Sequence, residues 1–237
     1  MKLGAIILCR YDSSRLPGKI LKEILGKPVL QYIVERMQTS RAAHQVVVAT
    51  STEPSDDPIV AYCERHGLAY FRGDKNNVAA RFLACGQAFD FEYAVRINGD
   101  NLFTDAALLD EMVSKVPIRE YDFISNVQGR TFPYGMSIEI VRTEFYQESL
   151  TRFYQREHLE HVTLYFYQNP AFGRQYHFVN TICPSAAGLK LALDTQADFE
   201  FVEAMIQAVQ TDHTQYHLTD IYALWQAISQ AQKENFS

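Results

Sequence analysis

The chain has 237 residues, 47% hydrophobic and 21% charged, enough for one sizeable core, and no apolar run long enough to span a membrane. Its net charge of -6 argues against a general nucleic-acid binder, whose field must attract a polyanion. Cys9, Cys63, Cys85 and Cys183 form no CxxC pair, and the opening MKLGAIILCRYDSS turns polar too early for a signal peptide, so a cytoplasmic protein with reduced thiols is expected.

In chain order, LGAIIL (3–8) reads as a short buried strand. After Pro28, Val29, Leu30, Ile33, Val34 and Met37 share one helical face, followed by a strand QVVVAT (45–50) and a helix opened by Asp57-Pro58. LAYF (68–71) and YAVRI (93–97) predict strands on either side of a helix over roughly 77–88, and a further helix starts after Thr104 as N-cap. The second half offers strands at YDFIS (121–125), SIEIVR (137–142), YHFVNTI (176–182) and LKLAL (189–193). Aromatic-rich helices are expected over 144–154 and 157–167, and two closing helices at 196–209 and 218–232, capped by Thr195 and Thr219. Strand–helix alternation implies an α/β fold with a mostly parallel sheet covered on both faces, and ligands then sit outside the carboxyl ends of the strands. No repeat or Pro/Gly-rich linker divides the chain, so one domain over 1–237 is expected.

Charge is unevenly spread. Residues 1–41 hold eight Lys/Arg against three Asp/Glu, and the remainder fourteen against twenty-five. From charge alone a solvated basic face and a small-anion site are both open. The stretch after the first strand, CRYDSSRLPGKILKEILGKP, is not a P-loop, because Ser13 and Ile20 stand where the first Gly and the Ser/Thr belong. No GxGxxG follows the strand either. What remains is a loop of Arg10, Ser13, Ser14, Arg15, a Pro17-Gly18 turn and Lys19, suited to wrapping a polyphosphate with hydroxyls, backbone N–H groups, a guanidinium fork and an ammonium point charge.

IILCRYDSSRLPGKILKEILGKPVLQYIVER resembles the nucleotide-binding signature of the cytidylyltransferase family, which includes the CMP-sialate and CMP-Kdo synthetases and, closer here, the SpsF-type spore coat polysaccharide proteins. The likeness continues through YFRGDKNNVAARF, VRINGD, RTFPYG, REHLEHVT and LALDTQADFE, to about residue 205. It implies a Rossmann-like nucleotidyltransferase fold with a mostly parallel mixed sheet and a small excursion in the second half. A nucleotide-binding half (about 1–110) and an acceptor-binding and dimerisation half (about 120–200) go with it. The implied reaction is magnesium-dependent (Mg2+) transfer of CMP from CTP to a small-molecule acceptor, a sugar acid or phosphorylated compound, with pyrophosphate released. The chain would act as a homodimer, away from membranes and nucleic acid, in surface polysaccharide biosynthesis.

By the same resemblance Arg10, Ser13, Ser14, Arg15 and Lys19 bind the triphosphate, with Lys27 nearby, and Arg10 and Lys19 stabilise the transition state. Arg72, Gly73, Arg81, Arg96 and Asn98 are further nucleotide contacts. Asp100 of NGD, at a strand's carboxyl edge with Gly99 allowing close ligand approach, is the catalytic metal ligand; Asp194 is the second, with Asp198 as understudy. Tyr134, Ser137, Glu139, Glu160 and His161 face the acceptor. Tyr134 and Ser137 replace two aspartates of the family pattern, removing two negative charges, and Asn101-Leu102-Phe103 replaces its usual C-P-L. His158 and His161 are spaced as a conceivable zinc pair or as locally bonded side chains, His213 and His217 read as surface residues, and Tyr165–Tyr167 as core or dimer interface. The alternatives are a glycosyltransferase of related fold using a sugar nucleotide and a catalytically inactive nucleotide-binding partner.

Overall fold

The computed structural model describes residues 1–13 and 15–234, so the expected phosphate contact Ser14 lies outside the described residues. The elements run β1 (Leu3–Leu8), β2 (Glu23–Ile24), β3 (Lys27–Pro28), α1 (Val29–Gln38), β4 (Gln45–Ser51), α2 (Asp57–Arg65), β5 (Tyr70–Gly73), α3 (Val78–Ala88), β6 (Tyr93–Asn98) and α4 (Ala106–Lys115). They continue as β7 (Phe123–Ser125), β8 (Glu139–Arg142), α5 (Thr143–Leu150), α6 (Arg156–Glu160), α7 (Leu164–Gln168), β9 (Gln175–His177), α8 (Gln196–Gln207) and α9 (Leu218–Glu234).

Seven strands form one sheet in the order β5-β4-β1-β6-β8-β7-β9. Only β8 runs against the others, pairing antiparallel with both β6 and β7. The expected mostly parallel mixed sheet is therefore present, and it spans both halves of the chain. Strand β1 is central, and its alternation shows how both faces are filled. Leu3, Ala5 and Ile7 enter a core shared with α1, α4 and α8, whereas Ile6 and Leu8 enter a second core under α3, α5 and α7. In register, Leu8 of β1 lies beside Asn98 of β6 and Ala49 of β4, so their carboxyl ends open on the same edge.

Several expectations need correction. LKLAL forms no strand: Leu191 and Leu193 are buried, but this segment bonds to loop backbone at Tyr134 and Asp100, with a single bridge from Tyr134 to Lys190. Of YHFVNTI only the start pairs, leaving Val179 and Ile182 exposed. The helix expected over 157–167 breaks at His161–Thr163 into α6 and α7. Asp105, not Thr104, caps α4 by accepting from Ala107 N at 3.0 Å. Thr219 lies inside α9, whose start is held by Asp105 and Asp220 carboxylates. All four cysteines are free and buried. Among the described residues no helix is long and apolar enough to cross a membrane.

Candidate active site

The loop after β1 is anchored before it is charged. Tyr11 N donates to the buried Asp56 carboxylate at 2.8 Å, which also accepts from Ser51 at the end of β4. Gly18 N then donates to Tyr11 O at 2.8 Å, closing the loop on itself, and Lys75 pairs with Asp12 from outside at 2.6 Å. The cleft beside it, about 470 Å³, is lined by Arg10, Ser13, Arg15, Lys19, Arg81, Arg96, Asn98, Asp100, Glu160, His161 and Asp194. Arg10 has no hydrogen bond or ion pair among the described residues, so its fork is free for an anion. Arg81 is 2% exposed, and burial pulls its guanidinium below the usual range; NH1 donates to Asp74 O at 2.6 Å while Nε has no partner.

Lys19 stands between two carboxylates. Its Nζ lies 3.5 Å from Asp100 Oδ2 and 3.7 Å from Asp194 Oδ1, and donates to Leu193 O at 2.7 Å. Arg15 reaches Asp194 Oδ1 at 2.8 Å. Leu193 N donates to Asp100 O at 3.0 Å, so the two acidic loops are tied by backbone. Asp100 Oδ1 is buried without a partner among the described residues, an arrangement that costs free energy unless something else uses the oxygen. Two carboxylates, one with an unused oxygen, fit a magnesium ion that takes its remaining ligands from phosphate and water. Gly99 lines the cleft and is also required by packing: a Cβ there would come within 2.6 Å of Cys9 Cβ.

A second compartment, about 550 Å³, lies beyond Arg96 and includes Gln128, Arg130, Tyr134, Ser137, Glu139, Thr163 and Tyr167. It shares Arg96, Asn98, Asp100 and His161 with the first. Its floor is a buried polar network. Arg96 NH1 bonds Glu139 Oε2, while Glu139 Oε1 accepts from Thr163 Oγ1 at 2.7 Å and from Tyr167 OH at 2.6 Å. Burial opposes the charge on Arg96, but the Glu139 carboxylate outweighs it and raises the guanidinium above its ordinary value. Burial likewise pushes the Tyr167 phenol well up, keeping it a donor. Glu139, 2% exposed, thus spends both oxygens inside the protein.

The structure gathers most of the expected residues but not all. Lys27 bonds Glu35 at 2.6 Å, outside both compartments. Arg72 holds Ser51 O, Glu53 O and Asp57, and Gly73 makes room for Arg81, whose Cγ would meet a Cβ at 2.8 Å. Neither Arg72 nor Gly73 lines the cleft. Asp198 completes the Thr195 capping box of α8 and pairs with Lys190. His158 is buried on Gln168, while the helix break turns His161 to the cleft, so no zinc pair forms. His213 is a packed residue, bonded to Glu35 at 2.7 Å and set edge-on to Tyr32. Tyr165 and Phe166 belong to the core. Arg130 and Thr163 were not assigned a role from the sequence, although Arg130 opens the RTFPYG stretch and Thr163 closes REHLEHVT, and Tyr167, read there as core or dimer interface, reaches the second compartment.

A cytidylyltransferase family model matches residues 4–234. The spore coat polysaccharide biosynthesis protein SpsF of Bacillus subtilis is 31% identical over 209 residues, 85% of each chain. A 3-deoxy-manno-octulosonate cytidylyltransferase of Geobacter metallireducens is 32% identical over 114 residues, 48% of this chain and 44% of that one. A solved cytidylyltransferase from Leptospira borgpetersenii serovar Hardjo-bovis superposes with a TM-score of 0.90 at 26% identity, covering 97% of this chain and 96% of that one. With the match running through the loop, the NGD turn and the second compartment alike, the chain belongs to the cytidylyltransferase family of CTP-dependent nucleotidyltransferases.

Proposed function

We propose that the chain transfers CMP from CTP to an oxygen of a sugar acid or phosphorylated acceptor, releasing pyrophosphate. The observation that carries this reading is the wall shared by the two compartments: Arg96, Asn98, Asp100 and His161 border both. A triphosphate gripped by Arg10, Ser13, Arg15 and Lys19 then presents its α-phosphorus to a group held beside Tyr134, Ser137 and His161. Proximity and fixed charge supply most of the acceleration in such an in-line displacement. Asp100 and Asp194 would hold magnesium, which supplies charge neutralisation along the triphosphate. As CTP enters, Lys19 exchanges its carboxylate partners for phosphate oxygens, and Arg10 adds a second cation to the developing charge. Glu139 shapes the acceptor compartment through Arg96 instead of touching the acceptor.

The name of the SpsF relative supports a CMP-linked precursor of a surface polysaccharide as the product. In this reading the reaction runs in the cytoplasm, and two copies pair through the second half, where Val179 and Ile182 are exposed beyond the edge strand β9. Sedimentation of the purified chain checks the pairing. Pyrophosphate release from CTP, magnesium and a panel of acidic and phosphorylated sugars checks the reaction. Silence with every nucleoside triphosphate would end it. Calorimetric titration separates the alternatives: tight CTP binding without turnover marks an inactive partner, and preference for a sugar nucleotide marks a glycosyltransferase.

A further inference from the structure

We infer that Arg130, set over the ring of Tyr134, is the residue that reads a negative charge on the acceptor, a carboxylate or a phosphate. The inference rests on the cytidylyl-transfer reading and assigns a place and a cause to the acceptor's charge.

Arg130 closes the short turn Gln128–Arg130 after β7, and two successive residues there, Gly129 at φ 73° and Arg130 at φ 49°, are left-handed. Left-handed backbone disfavours an arginine by about 1–2 kcal/mol, so its surroundings must fix it. The conformation sets the guanidinium carbon 4.3 Å from the centre of the Tyr134 ring. A guanidinium held over a ring keeps its N–H groups for another partner, and that edge matches two oxygens of a carboxylate or phosphate.

No carboxylate among the described residues uses that edge. Of the acids in the compartment, Glu139 is spent on Arg96, Thr163 and Tyr167, and Asp100 faces Lys19. Arg130 has no ion pair among the described residues. The neighbouring Tyr134 and Ser137 are uncharged. After internal pairing the compartment therefore keeps one positive charge, and a neutral acceptor would leave it unanswered.

The test compares wild type, Arg130→Gln and Arg130→Lys by pyrophosphate release. The acceptors are 3-deoxy-manno-octulosonate, N-acetylneuraminate, a hexose phosphate and neutral sugars of matching size. Arg130 is exposed, so the variants should melt as the wild type does. In Arg130→Gln the KM for the anionic acceptor should rise roughly 10- to 100-fold, the loss of a charge-assisted pair, with KM for CTP held within about twofold. Lysine should restore only part, and neutral sugars should not register the change. Whether acids or phosphates show the loss identifies the source of the charge. An unchanged KM, or equal loss for neutral and anionic sugars, overturns the inference. If wild type turns over no acceptor, the functional reading fails on its own, and the same anions are titrated calorimetrically into CTP-loaded wild type and Arg130→Gln. Weaker binding to the variant then supports the assignment, and equal or absent binding refutes it.

Discussion

The two compartments hold their charges differently. In the first, Lys19 and Arg15 meet Asp100 and Asp194 across gaps of 2.8–3.7 Å in partly exposed surroundings, with Arg15 64% exposed. In the second, Glu139 is 2% exposed and each of its oxygens is committed to Arg96, Thr163 or Tyr167. Exposed pairs contribute little to folding, whereas a buried pair that loses one member leaves a charge without water or partner. The first compartment's pairs can thus exchange partners at little cost, and the second keeps its shape. Substitutions should separate along this line, with chemistry lost on one side and stability on the other.

The largest effect is expected at Asp100. Asp100→Asn should lower turnover by about 10³-fold or more, because the proposed metal ligand loses its charge at the shared wall. The melting temperature should hardly move, since Oδ1 already lacks a partner. A variant that turns over at the wild-type rate removes Asp100 from the chemistry. Next comes Glu139→Ala, which strands the Arg96 guanidinium in the interior. A loss of about 3–5 kcal/mol is expected, seen as a fall of roughly 10 °C in thermal denaturation. If Glu139→Ala melts normally but fails only in acceptor KM, the second compartment is no more structural than the first.

Lys19→Ala tests the first compartment from the cationic side. Its side chain is 14% exposed and its ammonium already shared among Asp100, Asp194 and Leu193 O, so it is positioned before substrate arrives. Loss of a preorganised cation should lower kcat by about 10²-fold and CTP affinity by less than 10-fold. Equal losses in both would make Lys19 a uniform binding group. Calorimetry with CTP beside single-turnover kinetics distinguishes the two.

The same division governs what could be read from the sequence. The β1 loop was legible because its residues are contiguous: Arg10, Ser13, Arg15 and Lys19 line the cleft within ten positions of one another. Asp100 was legible because a strand end fixes where it points. Arg72 and Gly73 misled for the same reason of proximity, since their position beside a strand end says nothing of which way Arg72 turns. It turns to Ser51 and Glu53 carbonyls. The second compartment is assembled from β6, β8, α7 and the turn at Gln128–Arg130, and no local pattern announces that Thr163 meets Glu139. The α6–α7 break was hidden because neither Gly nor Pro interrupts 157–167, while at the break Val162 is buried and its carbonyl accepts from Tyr146 OH at 2.7 Å. LKLAL misled by its alternation: it buries Leu191 and Leu193 as a strand would, yet its backbone partners are loops.

Asp56 offers the smallest effect and the sharpest test of the division, because it is a buried acceptor standing behind the exposed compartment. Burial alone would raise its carboxyl pKa, but hydrogen bonds from the Ser51 hydroxyl and from the Tyr11 and Ser51 N–H groups outweigh it and hold the group below the ordinary value. A carboxylate depressed in the folded state contributes stability that is fully present above its unfolded value, about pH 4, and is lost as pH falls through the folded value. Asp56→Asn should therefore cost about 1–2 kcal/mol near neutral pH, and the gap between variant and wild type in urea denaturation should shrink as the pH falls below about 4 and through the folded value. Because Tyr11 anchors the loop after β1, which is proposed to hold the triphosphate, CTP affinity should fall a few-fold in the variant at neutral pH, while kcat at saturating CTP holds. A gap that stays constant with pH would mean that the Asp56 charge does not hold the loop, and that Gly18 and Tyr11 close it without help from β4.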